Sequence, residues 1–464
     1  MLDSRATLIA PVAGNGATLR ALARRLPERY PALFESVAPG PLGRCSLLFG
    51  GITASLERDP RGAVHAHGWQ ASDGGFLANL GRWYEASQPT SATNSSAFVT
   101  RDGESAPFAG GWVVLLGYEV AGEIERRLRL PAAGLPFDAL ALRTTVALVH
   151  TIATGQLYAV GEATAAEAWR QLQADVAAVA HNPRLSEAIE VAEIVEEAPD
   201  AYLERVVRAK ELIAAGEVYQ ANLSRPWRVR TRDAVSAPEL YEHLRRANPA
   251  PFAASLAWRG VGVVSSSPER LLEIHGREIN TRPIAGTRRR TREPGADAGE
   301  TRELVAHPKE RAEHVMLIDL ERNDLGRVCD GGSVEVNEFM LTESYEHVHH
   351  IVSNVRGRLR TGVTPIDALR ALFPGGTITG CPKVRCMEVI ALLEGAARGF
   401  YTGSLGYVGL DGRADFNILI RTMTVMGRQI EFRAGAGIVA DSVPERELDE
   451  TRAKARGLLA VFDA

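Results

Sequence analysis

Two pairs of glutamates stand at i, i+3 spacing at the head of apolar, helix-like runs. Glu310 and Glu313 follow Pro308, a residue suited to the first turn of a helix, and precede Leu317 and Ile318. Glu447 and Glu450 follow Pro444, with Lys454 one turn further on. At this spacing both carboxylates of a pair project from one helix face. Two such helices together would offer an all-oxygen donor set, which suits Mg²⁺. Taken singly, each pair is what an exposed helix carries to meet nearby arginines, so neighbouring motifs must decide.

Three glycine-rich segments read as turns that follow strands or open a helix. They are Pro283-Ile284-Ala285-Gly286-Thr287, Ala434-Gly435-Ala436-Gly437, and Pro374-Gly375-Gly376-Thr377-Ile378-Thr379-Gly380 ahead of Lys383. Glycine lets backbone N–H groups approach an anion closely, and a helix start adds a favourable dipole. None is a dinucleotide fingerprint or a P-loop. The cluster Tyr345-Glu346-His347-Val348-His349-His350 lacks zinc-site spacing but can supply an acid–base group near neutral pH.

The elements that must position these residues form a chain of 464 residues. The first 160 or so read as short strands and turns, including Cys45 to Phe49, Gly111 to Leu116 and Thr144 to Ile152. A helix is expected over Ala165 to Val179, with Thr164 and Glu167 as a capping box. The acidic stretch from His181 to Asp200 reads as a solvated boundary between an N-terminal region, 1–190, and a catalytic region, 198–460. Asp200 is placed to cap the next helix and Gly216 to stop it. Strands are expected at Gly262 to Ser266, Glu273 to Ile279, Leu405 to Gly409, Asn417 to Val425 and Ile430 to Arg433. Strands in series with helices grouped around them predict an α+β fold with face-packed sheets.

Composition excludes several classes. Fifty-three basic against 57 acidic residues leave a net charge of -4, without the basic surplus of a nucleic-acid binder. No apolar run approaches a bilayer span, and Met1 to Leu26 lacks signal-peptide architecture, so a cytoplasmic protein is expected. Cys45, Cys329, Cys381 and Cys386 are too scattered for a disulfide framework or zinc ribbon. Only Lys210, Lys309, Lys383 and Lys454 are lysines, which singles each out where a compact ammonium is needed.

Ser265-Ser266-Ser267-Pro268-Glu269-Arg270-Leu271, Thr281 to Thr287 and Asp319-Leu320-Glu321-Arg322-Asn323-Asp324-Leu325-Gly326-Arg327 carry a family resemblance, with Thr377 to Arg385 and Ala434 to Ser442. The chain resembles the chorismate-utilising enzymes: the large subunits of aminodeoxychorismate synthase and anthranilate synthase and, more distantly, isochorismate and salicylate synthases. The likeness is strong from Tyr202 to Leu459 and weaker before. It implies two face-packed antiparallel β-sheets flanked by helices, with chorismate and Mg²⁺ in a cleft. By family match, Glu310, Glu313, Glu447 and Glu450 would hold the metal. Gly286, Thr287, Thr377, Tyr401, Arg421, Gly435, Ala436, Gly437 and Lys454 would line the substrate. Glu269 matches the general acid, which needs a raised pKa to hold a proton at neutral pH, and His350 the active-site histidine. Ser36, Arg44, Cys45, Ser46, Leu47, Pro251, Phe252 and Ala253 match positions that bind tryptophan, and at most weak tryptophan inhibition is expected.

The water-adding members carry a lysine base where this chain has Gln220, and glutamine cannot deprotonate water. The resemblance therefore implies ammonia as nucleophile. The chain has no Gly-x-Cys-x-Gly turn and no His-x-Glu pair, so the ammonia is expected from a separate glutamine amidotransferase subunit. Ala285 stands where many aminodeoxychorismate synthases have lysine, as in anthranilate synthases, and Ala440 to Pro444 leans the same way. Pro374 to Gly380, Asn248 to Ala254 and Asp415 to Arg421 are of the aminodeoxychorismate type. The expected reaction is formation of 4-amino-4-deoxychorismate for p-aminobenzoate and folate synthesis. Anthranilate synthase component I is the nearest alternative, and a non-catalytic chorismate- or tryptophan-binding regulator a more distant one.

Overall fold

The computed structural model describes residues 7–38, 43–88, 106–179, 188–289, 299, 308–344 and 348–463. Its strands pair antiparallel throughout the described ladders and form two layers. The first runs Thr7–Val12, Leu157–Glu162, Ala139–Thr151, Cys45–Arg58, Ala32–Glu35, Phe252–Trp258, Val261–Ser267, Thr422–Met426, Gln429–Ile438 and Gln220–Thr231. Val191–Glu196 and Gly380–Cys381 pair with Gln220–Thr231 at its end. The second layer leaves Ala139–Thr151 through Gly111–Leu116, Ser404–Gly409, Ala414–Asn417, Arg270–His275, Glu278–Arg282 and Val348–Arg358. Ile284–Arg289 and Glu335–Ser344 flank that last strand.

The long strands Cys45–Arg58 and Ala139–Thr151 pass from one layer to the other. Their pairing shifts register between Ile52 and Ala54, beside Gly51 at φ +63°. A bulge of this kind bends a strand, and the left-handed residue in it is cheapest as glycine. Strands from both sides of the acidic stretch share the layers: Ala32–Glu35 pairs with Phe252–Trp258, and Gly111–Leu116 with Ser404–Gly409.

Phe49, Phe108, Val113, Leu140, Leu256, Val263, Leu405 and Leu419 pack between the layers. Residues of Gly16–Arg25, Ala166–Ala178, Ala237–Ala247 and Pro444–Leu459 join the core of the first layer, those of Phe76–Ala86, Pro308–Gly326 and Pro365–Leu372 that of the second. The architecture is the expected α+β fold of two antiparallel sheets flanked by helices.

Several local expectations are corrected. Ala163–Ala165 form a 3₁₀ turn, so Ala166–Ala178 starts without the Thr164 cap. Pro199 takes the first helical position of Pro199–Ala214, leaving Asp200 inside the first turn where its charge complements the dipole. The acidic stretch contains a strand, Val191–Glu196, whose carboxylates meet arginines of the neighbouring strand: Glu193 with Arg230 at 3.0 Å and Glu196 with Arg225 at 2.6 Å. The start of that stretch lies outside the described residues. Glu273 to Ile279 is a hairpin turning at Gly276, φ +61°. Asn417 to Val425 is broken because the chain there crosses between layers, with Arg421 at φ +51°.

One buried charge cluster ties the elements near the crossing. Glu394 accepts Arg398 Nη2 at 2.7 Å, Arg433 Nη2 at 2.9 Å and Ser224 N at 2.8 Å, and all three charged side chains are buried. Burial raises the Glu394 pKa, but the two guanidinium groups outweigh it and hold the carboxyl below its ordinary value. Replacing one member leaves uncompensated buried charge. Glu394→Ala is therefore expected to cost about 3–5 kcal/mol in urea unfolding; a loss under about 1 kcal/mol would contradict the clamp.

Candidate active site

The segment read as a glycine turn, Ala434 to Gly437, is instead the middle of the strand Gln429–Ile438. It is held in register by Gln220–Thr231, with Gly435 opposite Ser224 and Gly437 opposite Asn222. The missing side chains admit neighbours from three directions. A Cβ on Gly437 would lie 2.3 Å from Gln220 Nε2 and 3.3 Å from Glu313 Oε1. One on Gly435 would lie 3.0 Å from the Tyr401 hydroxyl and 3.0 Å from Asn222 Oδ1.

Both acidic helices reach this strand. Glu313, on Pro308–Gly326, accepts Gln220 Nε2 at 2.5 Å beside Gly437. Glu450, on Pro444–Leu459, pairs with Lys454 at 2.7 Å, and Lys454 Nζ donates to Gly435 O at 2.9 Å. Glu447 is buried on the same helix, and its charge and that of Glu450 raise the Tyr202 hydroxyl after burial does. Glu310 lies one turn before Glu313, but its side chain is outside the described residues. Among the described residues, no three acidic, Cys or His side chains are grouped to cage a metal ion.

Glu269 stands at the other corner. It is 4% exposed, and burial pushes its carboxyl up to about 7; Thr377, the Ile284 amide and Lys454 act the other way, while the Glu321 charge adds to the rise. Pro283 to Thr287 also proves not to be a plain turn: Ile284–Arg289 is a strand against Val348–Arg358, kinked between Ala285 and Thr287 with Gly286 at φ +64°. That register sets Thr287 opposite His350, whose Nδ1 lies 3.4 Å from Gly286 O. Tyr345 to His347 are outside the described residues.

Two buried side-chain oxygens without hydrogen-bond partners lie here, Gln220 Oε1 and Asn222 Oδ1. Each such atom costs roughly 1–3 kcal/mol, and concentrations of them mark sites that face a polar ligand or water. Arg421, bulky and left-handed at φ +51°, stores backbone strain at the same crossing. Gly437→Ala is expected to displace the flexible Gln220 end rather than backbone. Stability should stay within about 1 kcal/mol while kcat/KM falls about tenfold or more; an unchanged kcat/KM would contradict this placement.

Three of the four lysines meet specific partners: Lys210 Nζ donates to Ser442 O at 2.5 Å, Lys383 pairs with buried Asp324, and Lys454 bridges Glu450 and Gly435, while the Lys309 side chain is outside the described residues. The sequence reading missed Asn222 as a site residue and missed Glu321 as a neighbour of Glu269. Lysine scarcity pointed toward the Asp324–Lys383 pair beside it.

A cavity of about 380 Å³ opens between the layers, lined by Ser36, Arg44, Cys45, Leu47, Pro251, Phe252 and Ala253 together with Arg270 and Asp415. Ser46 does not line it; strand alternation turns it to the opposite face from Cys45 and Leu47. A second cavity, of about 500 Å³, meets the candidate site only at Tyr401.

The sequence pattern of the chorismate binding enzymes matches residues 59–460. The chain belongs to the chorismate-binding enzyme family. An anthranilate synthase component I-like protein of Synechocystis is 42% identical over 362 residues, 78% of this chain and 74% of that one. Aminodeoxychorismate synthase component 1 of Bacillus subtilis is 48% identical over 258 residues, covering 55% of this chain and 54% of its own length. Other relatives of similar identity carry anthranilate synthase names, and the matches span about half their length. The structure of anthranilate synthase component I from Streptococcus pneumoniae superposes with a TM-score of 0.78 at 28% identity, over 90% of this chain and 93% of that one. This member of the chorismate-binding family is thus anthranilate synthase component I-like in fold. Among the described residues, no helix is long and apolar enough to cross a membrane.

Proposed function

We propose that the protein aminates chorismate, using ammonia delivered by a separate glutamine amidotransferase subunit, to give 4-amino-4-deoxychorismate. The observation that carries amination over hydration is Gln220, whose amide is engaged with Glu313 at 2.5 Å where a hydrating enzyme needs a base. Glu269 holds a proton for the departing C4 hydroxyl, since its buried carboxyl titrates at about 7. Lys454, Tyr401, Arg421 and the Gly435–Gly437 backbone receive the substrate's carboxylates, while Thr377, Gly286, Thr287 and His350 border the ring.

The donor chemistry fits Mg²⁺. Glu313, Glu447 and Glu450, with Glu310, offer only oxygen, and Mg²⁺ commonly takes one or two carboxylates and leaves its other positions to water and substrate. Glu313 and Glu450 would hold it, where it would orient a substrate carboxylate and neutralise charge. The 380 Å³ cavity is proposed to take tryptophan, which a buried Ser36 hydroxyl without a partner would meet.

The second reading is anthranilate synthesis, favoured by Ala285 in place of lysine. Incubating the purified chain with chorismate, Mg²⁺ and ammonium over a range of pH on both sides of neutrality separates the two. A non-fluorescent product that a lyase converts to p-aminobenzoate supports the first reading, fluorescent anthranilate the second. No turnover under any condition would favour a binding regulator over both.

A further inference from the structure

A second buried carboxyl stands behind the proposed acid. Glu321, 3% exposed, lies on Pro308–Gly326 two turns beyond Glu313. Its Oε1 accepts Gly376 N at 3.4 Å and its Oε2 accepts Thr281 Oγ1 at 3.0 Å. Gly376 is pressed onto the helix so closely that a Cβ there would lie 2.5 Å from Leu320 Cδ2 and 3.2 Å from Glu321 Oε1. The turn is closed on itself by Thr379 Oγ1, 3.0 Å from Gly375 O. From the other side Asn222 Nδ2 reaches Thr377 O at 3.4 Å. Asp324, one turn after Glu321, pairs with Lys383, whose Nζ also donates to Leu372 O at 3.1 Å and so anchors the chain entering the turn.

We infer that Glu321 is a positioning residue for Glu269, holding the Gly376–Thr377 turn against the Pro308–Gly326 helix and so fixing Thr377 beside the acid. The inference rests on Glu269 being the proton donor proposed above. Charge adds a second link. Glu321 faces Asp324, Lys383, the Thr281 hydroxyl and the Gly376 amide; burial and the Asp324 charge raise it, and Lys383 and the hydrogen bonds oppose them. Glu269 faces Thr377, the Ile284 amide, Lys454 and Glu321 itself. Glu321 is itself raised to about 7, so each carboxyl ionises less readily once the other has, and removing the Glu321 charge lets Glu269 ionise at lower pH.

The test compares Glu321→Gln, Glu321→Ala and Glu269→Gln in the full chain, measuring kcat and KM for chorismate with Mg²⁺ and ammonium across pH. Glutamine can still accept from Gly376 and donate to the Thr281 oxygen. Glu321→Gln should therefore keep kcat within about threefold on the acid side, while the basic limb of its profile moves down by roughly half a pH unit. Glu321→Ala loses the tie, and kcat should fall at least about tenfold with KM within about threefold. A Gln profile superimposing on that of the wild type, with the Ala variant's kcat within about threefold, would overturn the inference. If the Ala variant does not fold, the Gln limb decides: a downward shift supports and superposition refutes. Wild-type turnover in Glu269→Gln would remove the acid assignment and this inference together. Loss of turnover there with silent Glu321 variants would remove only the latter.

Discussion

Glu269→Gln is expected to lower kcat for chorismate by about 10²–10⁴-fold, the usual contribution of a positioned general acid. The amide keeps the shape of the side chain but has no proton to release to a leaving hydroxyl. The same residue sets the pH dependence. Its folded-state pKa is raised to about 7, chiefly by burial, so the protonated, active form prevails below that pH and is lost above it. In the wild type, kcat at saturating free ammonia should decline as pH rises through that value and approach tenfold per unit beyond it. The Gln variant should lack this limb. Steady-state kinetics across pH read both effects; a variant within about threefold of wild type would contradict the role.

The second large effect concerns the two helices that converge on the glycine strand. Glu313→Gln and Glu450→Gln should each reduce turnover at least about a hundredfold and blunt its dependence on added Mg²⁺. The reasons differ. Glu313 touches the strand at Gly437 through Gln220, so an amide there replaces a carboxylate that is already engaged at 2.5 Å. Glu450 also steadies Lys454, and its loss frees the ammonium that caps Gly435 O. Glu445→Gln, on the exposed side of the same helix, serves as the control that should leave turnover unchanged. Retained activity in both site variants would remove the metal assignment.

Some of this was legible in the residues alone. Pro308 and Pro444 begin their helices, because a residue with fixed φ and no N–H is tolerated at the first turn. The α+β layering followed from strands in series with helices grouped around them. The glycine segments were not legible as strands. Local rules read Ala434 to Gly437 as a turn, whereas its partner strand lies some two hundred residues earlier in the chain and supplies the ladder. Pro283 to Thr287 was misread for the same reason, its partner being Val348–Arg358. Likewise nothing in i, i+3 spacing says where a glutamate helix will dock. Tertiary packing brings Glu313 beside Gly437 and the Glu450–Lys454 pair to Gly435 of the same strand. The Glu394–Arg398–Arg433 clamp is of this kind too: the helix ends at Glu394 with Gly395 at φ +60°, so Arg398, although only four residues on, lies past it, and Arg433 joins from a distant strand. Lysine scarcity was the exception, a compositional signal that pointed to ammonium groups with specific partners.

The central claim is that these helices bring one divalent cation and a small dianion to the same strand. Calorimetric titration of chorismate into the full chain, with and without Mg²⁺, tests it most directly. Reciprocal coupling predicts that each ligand tightens the other at least about fivefold, and that Glu313→Gln or Glu450→Gln removes the effect. Chorismate binding with the same affinity in the presence and absence of Mg²⁺ would contradict the account.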